Sequence, residues 1–165
     1  MSKHKFFYSV WDIKAVDKDG SILWQHKDRN MLVNEGERLI LTTMFRDEDT
    51  PSAYYVRAGY GELTEETVLA SIPNEPEEAY GYEPQLIERS GTGFPVLELV
   101  EGDYMITTKQ LAFTASGGNI GPINYLFIST TSDDTGKLMA VMTLPNEYTI
   151  YDGTSLQFTI SIKAI

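Results

Sequence analysis

The last ten residues, Leu156-Gln-Phe-Thr-Ile-Ser-Ile-Lys-Ala-Ile165, constrain the fold more than any other stretch. Apolar Leu156, Phe158, Ile160 and Ile162 alternate with polar Gln157, Thr159, Ser161 and Lys163. Successive side chains of a strand point to opposite faces, so this period of two predicts one face on a core and one in water. The backbone N–H and C=O groups of such a strand need partners, which only neighbouring strands supply. The segment is therefore expected to close a sheet.

The rest of the chain is punctuated in the same way. Phe6 to Val16 reads as a strand, Asp17-Lys-Asp-Gly20 as a tight turn and Ser21 to Gln25 as the returning strand, a hairpin over residues 6–27. Trp11 and Trp24, on its two arms, are expected to pack near each other. Further strands are expected at Tyr54 to Ala58, at Pro84 to Glu88 as an edge, and over residues 104–165 as Tyr104–Ala115, Ile123–Thr130, Lys137–Leu144 and Leu156–Ile165. Gly117-Gly-Asn-Ile-Gly-Pro122 reads as a connection needing positive φ. Ile72 to Gly81, rich in Pro and Glu without a period, reads as an extended surface loop.

One helix is expected, over residues 34–45. Asn34-Glu-Gly-Glu37 has the form of a capping box, and Ile40, Leu41, Met44 and Phe45 recur at helical spacing as one apolar stripe. Asp47-Glu-Asp-Thr-Pro51 stops it. A single amphipathic helix in such a chain is expected to cover an open end or edge. The fold class expected is all-β: one domain over residues 1–165, a jelly-roll-like antiparallel β-sandwich with one short amphipathic helix.

Composition narrows the function. An apolar share of 42% in 165 residues is enough for one core. The absence of cysteine excludes disulfide staples, thiolate metal sites and a cysteine nucleophile. A net charge of −11 repels phosphate backbones, so no direct nucleic-acid partner is expected. The N-terminus, basic and then apolar, lacks the uninterrupted apolar run of a signal peptide, and no window reaches the length of a membrane span. No membrane partner is expected, and folding in a cytoplasm is.

Little in the chain reads as chemistry. Asp17-x-Asp19-Gly20 lacks the distal Glu and flanking helices of a calcium loop and reads as a hairpin turn. Glu75, Glu77 and Glu78 read as an exposed acidic loop. The Gly117–Pro122 loop has no Lys and leads into no helix, so it is no phosphate cradle. His4 and His26 have no Ser or Asp pattern that suggests a triad. No catalytic residue, cofactor or metal is assigned. Tyr54, Tyr55, Tyr60, Tyr80 and Tyr82 could stack on sugars as a platform, but packing accounts for them more simply.

Several segments in order carry a resemblance: Asn30-Met-Leu-Val-Asn-Glu-Gly-Glu37, Gly81-Tyr-Glu-Pro-Gln-Leu-Ile-Glu-Arg-Ser90 with Gly93-Phe-Pro95, the stretch from Phe113 through Gly117–Pro122 to Ser132-Asp-Asp-Thr-Gly-Lys-Leu138, and Asp152-Gly-Thr-Ser-Leu156. Together, from about Val10 onward, they resemble small virion structural proteins of tailed bacteriophages. The resemblance implies a non-enzymatic protein made in the host bacterial cytoplasm and located in the virion, most simply a capsid decoration or auxiliary protein that stabilises the shell. Its implied partners are the major capsid protein or other virion proteins. It also implies a homo-oligomer, with a trimer favoured. The contact residues expected are Phe6, Phe7, Tyr8 and Trp11 of the N-terminal strand, then Tyr80 and Tyr82 at the end of the Ile72–Gly81 loop. The alternative is a tail-associated or receptor- and glycan-binding component using exposed tyrosines. A hydrolase with two carboxylates is the least favoured reading.

Overall fold

A computed structural model describes residues 7–72 and 74–164. In chain order the elements are β1 (Phe7–Val16), β2 (Ile22–Arg29), β3 (Met31–Leu32), α1 (Asn34–Arg46), β4 (Ala53–Gly59), β5 (Gln85–Glu88) and β6 (Val96–Val100). Then follow β7 (Asp103–Thr107), β8 (Leu111–Thr114), β9 (Ile120–Ser129), β10 (Leu138–Ile150) and β11 (Ser155–Ala164). They form two antiparallel sheets. One has the order β2-β1-β11-β7-β6, with β8 also pairing β11, and the other β3-β10-β9-β4-β5.

The first sheet closes where the C-terminal alternation predicts. β11 pairs with β1 along its whole length, from Phe7 opposite Ala164 to Val16 opposite Ser155. Its other edge is met by β8 at one end and β7 at the other. Between those two, the Thr108 N–H donates to the Ile160 carbonyl (2.9 Å) and the Ile160 N–H to the Thr108 hydroxyl (3.0 Å). The expected strand from Tyr104 to Ala115 is therefore two strands hinged at Thr108. The Asp17–Gly20 turn closes the first hairpin, with Gly20 at φ 89° and its N–H donating to Asp17 O at 2.9 Å.

The core lies between the sheets. Trp11, Ile13 and Ala15 of β1 and Leu156, Phe158 and Ile160 of β11 face Val56, Ala58, Ile123, Leu126, Ile128 and Met142 of the opposite sheet. A second cluster covers that sheet's outer face: Tyr125, Phe127, Leu138 and Val141 pack with Val33 and Leu69. This is why Tyr125 to Ser129 is buried without alternation: both faces of β9 are covered. The all-β sandwich with one short helix is thus the fold.

Several local expectations differ from the structure, each for a physical reason. Trp11 and Trp24 do not meet. Trp24 pairs opposite Ala15, four residues along β1 from Trp11, which at roughly 3.4 Å per residue separates the two rings. Trp11 packs on Phe158 (centroids 6.0 Å apart) and Trp24 edge-on to Tyr148 (5.0 Å). The capping box does not form either, since Val33 is the N-cap and no side chain caps the helix. Val33 is buried in the cluster with Leu69, Phe127 and Leu138, and the Asn34 N–H donates instead to Glu65 O (2.8 Å).

Most of the expected apolar stripe of α1 also faces outward, Ile40 being half-buried. The buried residues are Gly36, Leu39 and Thr42, whereas Leu41, Met44 and Phe45 are exposed by 58%, 59% and 76%. A Cβ at Gly36 would overlap the Met139 carbonyl oxygen, so α1 lies close on β10 through Gly36, with Leu39 and Thr42 on the packed face and Leu41, Met44 and Phe45 turned outward. Two strands, β3 and β6, were not expected. Apolar residues on both faces of Val96–Val100 leave no period of two to read.

Candidate functional site

Among the described residues the densest polar cluster surrounds Arg57, which β4 projects to the outer face of its sheet. The guanidinium is almost wholly buried and lies 5.0 Å from the Phe127 ring centroid. Its Nε donates to both Glu75 oxygens (3.0 and 3.1 Å), Nη1 to Asp133 O (2.8 Å), and Nη2 to Asp134 Oδ1 (2.9 Å) and to Glu75 Oε2. Tyr82 completes the cluster, donating to Glu75 Oε1 (2.8 Å) and accepting from the Ala58 N–H (3.0 Å). Burial pushes the Arg57 pKa down, but the hydrogen bonds it donates to Glu75 and Asp134 outweigh it and hold it above the usual value. Burial, reinforced by the Glu75 charge, pushes the Tyr82 phenol up. Every nitrogen of the guanidinium is engaged within the chain. The cluster therefore fastens the loops carrying Glu75 and Asp134 to the sheet.

A second carboxylate works the same way. Glu35, in the first turn of α1, accepts from the Leu69 N–H (2.9 Å) and the Leu138 N–H (2.7 Å) through Oε2. It joins helix, loop and β10 at one point. Among the described residues no group of three His, Cys, Asp or Glu side chains could hold a metal ion.

One concave feature among the described residues lies at the open end of the sandwich where β1 begins and β11 ends. It is a cleft with two lobes that share Tyr54, Arg89, Ile128, Met139 and Ile162. One lobe, about 620 Å³, is bounded by Tyr8, Arg29, Asn30 and, from α1, Leu39 and Thr43. The other, about 630 Å³, runs between β5 and β6 past Ile87, Phe94, Leu97 and Ile160. Arg29 stacks over the Tyr8 ring at 4.2 Å, and Arg89 donates to Pro51 O at 2.6 Å. Among the described residues neither arginine is ion-paired. Asn30 Nδ2 and Thr43 Oγ1 are buried with no hydrogen-bond partner. Burial raises the Tyr54 pKa, against the opposing pull of Arg89.

The residues expected to make contacts are scattered among these features. Phe6 lies outside the described residues. Phe7 and Tyr8 line the cleft half-buried. Trp11 and Tyr82 belong to the core, Trp11 because the inward face of β1 carries it and Tyr82 because its ring packs on Phe113. Tyr80 is exposed and lies against Gly118. No common tyrosine platform exists: Tyr54 faces the cleft, Tyr60 donates to Glu147 (2.9 Å), Tyr82 is buried, and Tyr55, next to Tyr54 on β4, points to the other face. Sequence reasoning missed Arg57, Glu35 and the cleft arginines. A lone Arg inside the apolar run Tyr54-Tyr-Val-Arg-Ala58 was the available signal for the first. No protein-family model matches the chain, and no curated protein does.

Proposed function

We propose that this chain is a non-enzymatic virion structural protein of a tailed bacteriophage, a capsid decoration or auxiliary protein that docks on the shell and stabilises it. The outward apolar face of α1 carries this reading. Leu41, Met44 and Phe45 sit at i, i+3 and i+4, adjacent on the helix surface, and stand in water beside Arg38 and Arg46. Exposed apolar patches of this kind mark interaction surfaces, with aromatic and Met side chains as the usual anchors. Leu97 and Leu99, exposed by 66% and 62% on the edge strand β6, offer a second contact suited to a homo-oligomer, with a trimer favoured. The polar clusters support a structural role, since their hydrogen bonds join one part of this chain to another.

Binding of the purified protein to expanded empty heads tests the reading. The wild type should co-sediment with the heads and raise their melting temperature by mass action. Phe45→Glu should abolish both effects while leaving the melting of the free protein unchanged. Failure of the wild type to bind heads, or full binding by Phe45→Glu, overturns the proposal.

A further inference from the structure

We propose that the two-lobed cleft at the open end of the sandwich binds a single-chain amphiphile with an anionic head, in its simplest form an aliphatic carboxylate. The inference goes beyond the assembly role and does not depend on it. Each lobe, at about 620 and 630 Å³, falls within the roughly 300–1,000 Å³ of small-molecule sites. Ile128, Met139 and Ile162 wall both lobes with aliphatic surface and offer a tail nothing but apolar contacts.

The polar groups on the cleft wall select the head. In a chain of net charge −11, the charged residues lining these lobes among the described residues are two arginines, and neither has an acidic partner among them. Both are held in place beforehand, Arg29 by the Tyr8 ring and Arg89 by the Pro51 carbonyl. An oxyanion beside these two guanidinium groups gains charge-assisted hydrogen bonds that no described acidic side chain already makes. Guanidinium groups also match a carboxylate in shape, as paired planar donors. A neutral or cationic head would leave the arginines unneutralised.

Titration calorimetry of the full-length protein with laurate, dodecanol and dodecyltrimethylammonium, each below its micelle concentration, tests this with one tail and three heads. Laurate should bind saturably at one per chain, dodecanol roughly tenfold more weakly and the cation more weakly still. The Arg29→Gln/Arg89→Gln double variant should lose roughly tenfold in laurate affinity while its melting temperature stays within the wild-type range. Arg38→Gln/Arg46→Gln, outside the cleft, should bind laurate as the wild type does. No saturable uptake of laurate, equal affinity for all three heads, or an unchanged affinity in the cleft variant overturns the proposal. So does tight binding of an acidic, leucine-rich peptide by a protein that takes up no laurate.

Discussion

Arg57 keeps its charge inside the fold because Glu75, Asp134 and the Asp133 carbonyl together meet its nitrogens. Removing one partner of a buried pair costs more than the pair is worth, since the remaining charge stays desolvated. Glu75→Ala should therefore destabilise the protein by about 3 kcal/mol in urea unfolding, toward the lower end because Asp134 remains. Buried phenols set an alkaline limit. Burial holds the phenols of Tyr54, Tyr82 and Tyr125 above the ordinary value of 10.0. The folded state then keeps protons that the unfolded chain releases, so stability is fully present below pH 10 and falls as pH rises beyond it. Tyr82→Phe should flatten that decline by about 1.4 kcal/mol per pH unit, measured as unfolding free energy against pH. At neutral pH the same variant should cost about 1–2 kcal/mol, because the Ala58 N–H loses its acceptor.

At the scale of the element, α1 shows how a hydrophobic pattern can point the wrong way. Of its large apolar residues, Leu41, Met44 and Phe45 stand in solvent while Leu39 is buried and Ile40 half-buried, and Gly36 packs close on β10. Gly36→Ala should cost about 1–3 kcal/mol through overlap with the Met139 carbonyl, despite the better helix propensity of alanine. Phe45→Ser should change stability by no more than about 0.5 kcal/mol, as at an ordinary surface position. Thermal melts of the two variants separate the packed face from the free one. Glu35→Ala should cost about 1.5–3 kcal/mol, since its carboxylate accepts two backbone N–H groups from distant segments. The pattern Asn34-x-x-Glu37 suggested a cap, yet the carboxylate that matters is Glu35, whose partners lie 34 and 103 residues away.

For the whole molecule, the sheet edges decide how copies can meet. β2 and β6 end the first sheet, and β6 leaves one side of its backbone unpaired beside Leu97 and Leu99. An exposed apolar edge recruits another strand unless charge blocks it, and Glu98 is the one charge within β6. Leu97→Lys/Leu99→Lys should leave the melting temperature unchanged and shift sedimentation toward the monomer at micromolar concentration. An unchanged sedimentation profile would place self-association elsewhere on the surface.

By itself the sequence determined the class of fold. Period-two alternation in β1 and β11 specifies which face meets the core, and Gly20, Gly117 and Gly121 take the positive φ that the turns require. Those are local rules, and a residue and its near neighbours are enough to state them. Only the tertiary structure decided that Trp11 and Tyr82 are core, that most of the stripe of α1 faces outward, and that Arg29, Asn30, Thr43 and Arg89 share one cleft. Each of those outcomes depends on which surface lies opposite. Periodicity identifies an apolar face, but what that face meets is settled by backbones packing together from far apart in the chain.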